Sequence, residues 1–373
     1  MRDPSNHILF LVTEYEAGMR PYASAIIHAL WRRGDHMIVV IKNEYFKHDF
    51  DDLPRDSITW IDYPASKSGK LQFRLYPARL IHAIDELISE QGIRLIYSLT
   101  EELVLAGYIA RLQRRCPVLY TVHDAIHHDV KFNSLSAWLK DRLLMALPQR
   151  RMLDCAHQVV TNSHIQLDHI LSHYPDHKAY YAPFPTLVND AIAAGEGSIP
   201  ELRNVKDGYI LFFGNLHLYK GVHLLYDAYL SHRELHDRPL VIAGGKEIYF
   251  ERQQIEDDVI FINRFIGDNE LKDLFTRAAV VVYPYISATQ SGVTSIASYF
   301  GVPMVLSDLP FFIQTCEGYD GIGFFKTGDC ESLAAAIKRS LLTSASTTAL
   351  YRKEYATEAM RDALEGIIAA ILN

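Results

Sequence analysis

Short apolar runs that alternate with helix-like segments constrain the fold of this chain most strongly. The run HILFLVT at 7–13 is almost continuously apolar, and the helix-like segment ASAIIHALWRRG at 23–34 precedes the next run, DHMIVVI at 35–41. Strands buried on both faces of a parallel sheet are near-continuously apolar, whereas half-exposed strands alternate. The repeated units therefore predict an α/β fold with doubly wound parallel sheets.

The pattern of apolar runs occurs twice, on either side of a weaker stretch. The stretch 186–208 mixes Gly, Pro and charges of both signs, which favours a linker. We therefore expect two Rossmann-like domains facing a central cleft, at 1–190 and 191–345, and a C-terminal helix at 346–373 that packs back towards the first domain. In such sheets ligands bind beyond the carboxyl ends of the strands, so functional side chains are expected in the loops there.

Composition excludes several classes of protein. The 373 residues are 49% hydrophobic and 22% charged, and the net charge of -8 argues against a nucleic-acid-binding protein. The cysteines form no CxxC pair, so neither a zinc ribbon nor a disulfide framework is expected. No window approaches the ~20 apolar residues of a membrane span, and the start of the chain does not have the pattern of a signal peptide. A cytoplasmic location is therefore expected.

The loop that follows the run YILFF suits a phosphate. Gly214 lets a ligand approach the backbone, and Lys220 and Gly221 come just before a helix that starts near Val222. A helix start offers free N–H groups and the positive end of the helix dipole, so a diphosphate site is one interpretation. A plain strand–helix turn with a solvated lysine is the other.

Two further loops of the second domain follow strands, and the first of them repeats this arrangement. The segment LVIAGGKE places Gly244 and Lys246 after a strand, which indicates either a second phosphate loop or a tight turn with an exposed lysine. The next strand is followed by three residues that suit a nucleotide base, which are Asn263, Arg264 and Phe265. Alternatively, Arg264 is an ordinary surface partner of Asp268 or Glu270.

A polar loop joins the run AVVVYPY to a helix-like segment. It reads Thr289-Gln290-Ser291-Gly292, and Val293 opens the segment VTSIASYF. Neutral hydroxyl and amide groups beside a helix start suit a sugar hydroxyl or a phosphate. A capped loop without a ligand is the alternative.

These motifs, in this order and spacing, resemble the nucleotide-binding half of the family 4 glycosyltransferases, which have the GT-B fold. The resemblance covers about 209–308 and is carried by FFGNLHLYKG, LVIAGG, FINRFIGDNELKDLFTRAAVVVYPY and SATQSGVTSIASYFGVPMVLSD. Gly18 and YTVHD extend it more loosely into the first half. It implies a retaining, metal-independent transferase of the hexosyltransferase type. A nucleotide sugar of the UDP or GDP type is then the co-substrate, and no other cofactor is expected.

The chain departs from the family pattern at three positions of the donor site. The family carries an arginine where this chain has Asn215, and the two glutamates of many members fall at Ala288 and Ile296. The chain resembles the branch that has Thr-Gln-Ser-Gly in place of those glutamates. That resemblance assigns the contacts with the donor sugar to Thr289, Gln290 and Ser291.

The first domain contributes site residues through the same resemblance. His123 is expected to face the donor sugar and Asp124 the acceptor, and the loop with Gly18 and Arg20 is expected near the donor phosphates or the acceptor. Arg20 would then replace part of the charge that the phosphate loop lacks. The residues by themselves leave two other interpretations open: a metal site shared with the later histidines of YTVHDAIHHDV, or a loop histidine without a ligand.

The segment 136–154 mixes apolar and basic side chains. A basic amphipathic helix can lie on anionic lipid, and a helix packed on its own domain with solvated charges is the alternative. Peripheral contact with the inner face of a membrane is therefore a hypothesis at this point.

Together these features predict an enzyme that moves a sugar from a nucleotide-diphosphate sugar to a glycan or lipid-linked acceptor, in surface polysaccharide biosynthesis by resemblance. The expected catalytic residues are His123, Lys220, Thr289, Gln290 and Ser291, without a metal ion. A nucleotide-sugar epimerase is one alternative, although it needs acid/base carboxylates that the loop 287–292 lacks. A non-catalytic sugar-nucleotide-binding partner subunit is the other alternative, because it fits the departures from the family pattern.

Overall fold

The structure is a computed structural model, and it falls into two compact units. The first unit consists of residues 1–183 and 360–373, and the second of residues 184–359. The structure describes residues 7–13, 19–32, 36–42, 50–64, 66–100, 104–123, 125, 142, 146–253, 258–288, 291–343 and 345–373.

The first unit is built on a parallel sheet with the strand order β3-β2-β1-β4-β5-β6-β7. Its strands are β1 (Ile8–Val12), β2 (His36–Lys42), β3 (Ile58–Asp62), β4 (Leu95–Ser98), β5 (Val118–Thr121), β6 (Gln158–Thr161) and β7 (Lys178–Tyr181). Its helices are α1 (Met19–Leu30), α2 (Lys67–Leu75), α3 (Ala78–Glu90), α4 (Ile109–Gln113), α5 (Leu147–Cys155) and α6 (His164–His173). Strands β1, β4 and β5 are buried along their whole length, as central strands of a parallel sheet with helices on both faces should be.

The second unit has its own parallel sheet, in the order β10-β9-β8-β11-β12-β13. Its strands are β8 (Tyr209–Phe213), β9 (Leu240–Ala243), β10 (Val259–Ile262), β11 (Ala278–Tyr283), β12 (Met304–Ser307) and β13 (Ile322–Phe325). Its helices are α7 (Asp190–Ala194), α8 (Val222–Ser231), α9 (Leu271–Thr276), α10 (Val293–Tyr299), α11 (Pro310–Cys316), α12 (Cys330–Leu341) and α13 (Thr348–Glu354). A last helix, α14 (Thr357–Leu372), follows α13.

The strand order reverses once in each sheet, between β1 and β4 and between β8 and β11. Every pair of neighbouring strands in both sheets is parallel. The predicted doubly wound, Rossmann-like architecture is therefore confirmed. In such sheets the crevice at the reversal point is where ligands bind, which directs attention to the loops after β8 and β11.

The C-terminal segment differs from the single helix expected at 346–373. It forms two helices, because the chain turns at Tyr355, whose side chain is buried and whose hydroxyl lies 2.8 Å from Thr294 Oγ1. That contact keeps α13 in the second unit, whereas residues 360–373 of α14 belong to the first.

The units divide at Pro183 and Phe184, slightly before the expected boundary at 190. The segment that begins there packs on the second unit, since the Leu187 N–H donates to Ser295 Oγ at 3.2 Å. Composition alone predicted where the linker lies, but it could not show that the segment from residue 184 packs on the second unit.

Candidate active site

The loop after β8 turns sharply at two glycines. Gly214 has φ +139° and its N–H donates to Ala243 O at 2.9 Å. Gly221 has φ +63°, and a Cβ at this position would lie 1.9 Å from Pro284 O. Because L side chains rarely adopt these angles and no room exists for a Cβ at Gly221, both positions require glycine. The loop is thereby fixed against the end of β11.

Lys220 is buried at the end of this loop, between the strand ends and an aromatic ring. Its Nζ lies 5.5 Å from the centre of the Tyr285 ring and 2.8 Å from where a Cβ of Gly214 would stand. Burial, followed by repulsion from Lys246, lowers the pKa of Lys220 to about 8. The absence of a side chain at 214 therefore provides the space that the ammonium group occupies.

Positive groups gather around Lys220. Lys246 follows β9 in a left-handed conformation, φ +77°, which is uncommon for a residue other than glycine. Burial and then the charges of Lys246 and Lys220 lower the pKa of His217. Within the part of the chain that the structure describes, neither lysine forms an ion pair. An anion at this place would relieve the repulsion, since opposite charge favours the protonated amine.

The start of α8 is already capped by a side chain that the sequence analysis missed. The Tyr249 hydroxyl lies 2.9 Å from His223 Nδ1 and accepts from the His223 N–H at 3.4 Å, while the Leu224 N–H donates to Gly221 O at 2.9 Å. A phosphate that accepts from the His223 N–H has to replace the Tyr249 hydroxyl. Tyr249 lies 26 residues after His223, so no local sequence pattern could have predicted that it caps this helix.

The loop after β11 brings Ser291 and Gly292 to the same edge of the sheet. Ser291 is buried, and its hydroxyl forms a hydrogen bond with Tyr285. Burial raises the pKa of Tyr285, and the hydrogen bond to Ser291 lowers it by a smaller amount. Gly292 packs closely, since a Cβ there would stand 2.7 Å from Leu187 Cδ1. Val293 begins α10, and its carbonyl accepts from Tyr283 Oη at 3.2 Å.

The structure leaves part of this loop untested. Thr289 and Gln290 lie outside the described residues, so their sugar contacts stay predictions. Ile296, which occupies a glutamate position of the family pattern, is buried in α10, so its side chain contributes to the core. Asn215 also stays a predicted donor contact, with its Oδ1 3.2 Å from where a Cβ of Gly245 would stand.

The loop after β10 uses its arginine for ion pairs. Arg264 donates from Nε and Nη2 to Glu201 at 2.8 and 3.0 Å, and from Nη1 and Nη2 to Glu270 at 2.8 and 2.7 Å. These bonds match the alternative of a surface partner for Glu270 and add Glu201 to it. Asn263 and Phe265 are exposed, the ring to 83%, so a base can reach them.

In the first unit, His123 follows β5 and is buried. Its Nε2–H donates to Leu99 O at 2.9 Å, because a carbonyl can only accept, and its ring meets Tyr22 edge-on with centroids 4.7 Å apart. Gln166 fixes the loop by accepting from the Ala125 N–H at 2.6 Å and donating to His123 O. Nε2 is thus engaged with the backbone, and the expected contact with the donor sugar stays a prediction.

Two polar residues near His123 were not singled out from the sequence. Tyr22 Oη donates to Asn162 Oδ1 at 2.8 Å, and Asn162 Nδ2 donates to Ala182 O at 2.9 Å. Asn162 follows β6 directly, so the rule that polar residues after strands line the site could have found it. Arg20 is exposed on α1, whereas Gly18 and Asp124 lie outside the described residues.

Comparison with known protein families agrees with this architecture. A model described as "Glycosyl transferases group 1" matches residues 207–343, and one described as "Glycosyl transferase 4-like domain" matches residues 17–180. Together the two matches cover most of the chain, one in each unit. The chain belongs to the glycosyltransferases. No curated protein sequence is similar enough to count as a match.

Solved structures of low sequence identity share the fold of this glycosyltransferase. HepE from Anabaena, in complex with UDP and glucose, is 17% identical with a TM-score of 0.68, over 98% of this chain and 100% of its own. A glycosyltransferase from Rickettsia africae is 15% identical with a TM-score of 0.68, over all of both chains. WaaG, a glycosyltransferase involved in lipopolysaccharide biosynthesis, is 13% identical with a TM-score of 0.59, over 98% of this chain and 99% of its own. The predicted GT-B fold is confirmed, while membership of the Thr-Gln-Ser-Gly branch stays a prediction.

The described residues contain neither a cluster of metal ligands nor a membrane-spanning helix. No group of three or more His, Cys, Asp and Glu side chains among them is arranged to hold a metal ion. The later histidines of YTVHDAIHHDV and residues 136–141 lie outside those ranges. No helix within the described ranges has the length and apolar character needed to cross a bilayer.

Proposed function

We propose that this glycosyltransferase binds the diphosphate of a UDP- or GDP-sugar at the end of β8 and transfers the sugar to a glycan or lipid-linked acceptor with retention. The observation that carries the proposal is the buried Lys220, whose Nζ forms no ion pair with any residue that the structure describes and whose pKa is lowered by burial and by repulsion from Lys246. The structure of HepE with UDP and glucose supports a UDP-sugar donor. WaaG supports a role in assembling surface glycans.

In this proposal the enzyme acts by stabilising the leaving group. The bond between the anomeric carbon and the diphosphate oxygen breaks, and the electron pair leaves with the diphosphate. Lys220 and Lys246 neutralise the developing charge, in a site where burial strengthens electrostatic interactions. The acceptor hydroxyl attacks the same face of the sugar, and its proton passes to the departing phosphate oxygen, so no separate protein base is needed. Thr289, Gln290 and Ser291 orient the sugar, and no metal ion takes part.

A thermal-shift panel of nucleotide sugars tests the donor. A ligand that binds only the folded state raises the free energy of unfolding, by about 2.7 kcal/mol at a hundredfold excess over Kd. We expect one nucleotide class to stabilise the wild type and to lose its effect in Lys220→Met, while the exposed Lys338→Met on α12 behaves as the wild type. If no nucleotide sugar stabilises the protein, or if Lys220→Met responds fully, the diphosphate site is wrong.

Product analysis tests the reaction. Anomeric coupling constants of the transferred sugar should match those of the donor, with full activity in the presence of a chelator. Inversion at the anomeric carbon or loss of activity with the chelator would contradict the mechanism.

A non-catalytic partner subunit is the second candidate. It is favoured by the buried Ile296, which puts an apolar core residue where many family members carry an acidic one. Donor binding without transfer or slow donor hydrolysis would support this candidate against the enzyme. Formation of an epimer from UDP-N-acetylglucosamine would instead support the epimerase that the sequence left open.

A further inference from the structure

Helix α2 of the first unit exposes an apolar stripe that none of the described residues covers. Leu71 and Leu75 are 51% and 71% exposed, and Tyr76, which ends the helix, is 68% exposed. Phe73 is the buried residue of the helix and packs in the core of the unit. Large exposed apolar side chains that are adjacent in one element mark an interaction surface, whereas scattered ones do not.

The stripe lies on the side of α2 that faces away from the core. Successive helical residues are separated by about 100°, so Leu71 and Leu75 share one face and Phe73 points to the opposite one. The helix is well formed there: Ser66 Oγ accepts from the Gly69 N–H at 3.0 Å, and the Tyr76 N–H donates to Gln72 O at 2.8 Å.

The residues beside the stripe are basic. Lys67, Lys70 and Arg74 lie on one flank, and the helix carries no acidic residue. Lys70 Nζ lies 5.4 Å from the centre of the Tyr63 ring, and Arg74 Nε donates to Tyr63 Oη at 3.3 Å. Both contacts leave the positive charge uncompensated, and none of the three forms an ion pair with a residue that the structure describes. The basic side chains favour a partner with negative charges, and the exposed leucines beside them favour one with an apolar layer beneath those charges.

We propose that α2 docks on an anionic lipid bilayer, with Leu71, Leu75 and Tyr76 in the acyl boundary and Lys67, Lys70 and Arg74 at the headgroups. An interfacial helix has this arrangement of an apolar face beside Lys and Arg. The surface differs from segment 136–154, which the sequence had suggested. The lipid-binding proposal does not rest on the proposed transfer reaction, because vesicle binding is measured without a sugar nucleotide.

The full chain is tested by co-sedimentation with vesicles of phosphatidylcholine alone and of equal parts phosphatidylcholine and phosphatidylglycerol. We expect binding to the mixed vesicles only. Lys67→Gln/Lys70→Gln/Arg74→Gln should lower the partition coefficient by about a hundredfold, since each basic side chain contributes roughly fivefold. Leu71→Ser/Leu75→Ser should lower it by about tenfold or more.

Matched variants separate this surface from general effects. Leu147→Ser/Leu171→Ser replaces two other leucines of the first unit, each 48% exposed, and Lys338→Gln/Arg339→Gln/Arg352→Gln removes three exposed charges of the second unit. Both should bind as the wild type, and thermal unfolding should show that all variants fold.

Several outcomes overturn the proposal. These are equal binding to both kinds of vesicle or to neither, full binding by the α2 leucine variant, and loss of binding in the Leu147 and Leu171 variant. A concentration-dependent dimer that disappears in the α2 leucine variant, without vesicle binding, would show a second copy of the chain on this surface instead.

Discussion

A Cβ on Gly244 would lie 2.1 Å from the carbonyl oxygen of Gly214, so the loops after β8 and β9 touch through their backbones. This contact brings Lys220 and Lys246 near each other, and the repulsion between them follows from it. The positive site thus depends on two glycines that have no chemistry of their own.

Gly244→Ala should therefore disrupt the site. At φ +149° and with backbone in the way, the methyl group forces the loops apart, and we expect a loss of about 2–4 kcal/mol in the free energy of unfolding. Gly328→Ala is the control, because φ is +79° there but nothing lies within 4 Å of the new methyl group. It should cost only about 1–2 kcal/mol. Equal losses in urea unfolding of the two variants would show that the contact does not matter.

Lys220→Met should stabilise the protein without a ligand and abolish donor binding. The folded-state pKa of about 8 lies below the ordinary value of 10.5, so the unfolded chain binds more protons between these values. The destabilisation caused by the buried charge of Lys220 is therefore fully present below pH 8 and disappears as pH rises towards 10.5. At pH 7 its removal should add about 1–3 kcal/mol to the free energy of unfolding. Denaturant unfolding at pH 7 and pH 10 checks this, and a destabilised variant at pH 7 contradicts it.

Donor affinity should fall as pH rises above about 8. The diphosphate binds the protonated form of Lys220, whose pKa in the unliganded protein is about 8. Affinity is then constant below that value and declines by up to about tenfold per pH unit above it. Titration calorimetry of UDP in buffers of different ionisation enthalpy should show proton uptake near pH 8. An affinity that stays constant from pH 7 to 9 would mean that Lys220 does not contact the anion.

Arg264→Met should affect stability rather than donor binding. The bonds to Glu270 and Glu201 hold the pKa of each carboxyl below its ordinary value. We expect a loss of about 1–2 kcal/mol at pH 7, since the group is partly exposed. That loss should disappear as pH falls below 4.5, where the carboxylates protonate. Denaturant unfolding together with donor titration measures both effects. A large drop in affinity with unchanged stability would restore the predicted donor contact of Arg264.

The sequence by itself determined the layered α/β fold and the position of the loops that matter. Continuous apolar runs can be buried only between helices, and their spacing fixed where strands such as β8 and β11 end. It also indicated Gly214, Lys220 and Ser291, because glycine, charge and hydroxyl groups after a strand have a recognisable order.

Only the tertiary structure decided which of these side chains are available to a ligand. Whether Arg264 is free depends on Glu201, and whether the start of α8 is open depends on Tyr249; both partners are distant in sequence. The exposure of Leu71 and Leu75 could not be predicted either, because two leucines four residues apart are equally typical of a helix that buries this face. Hydrogen bonds and burial are set by packing between segments, and a local pattern carries no information about which segments meet.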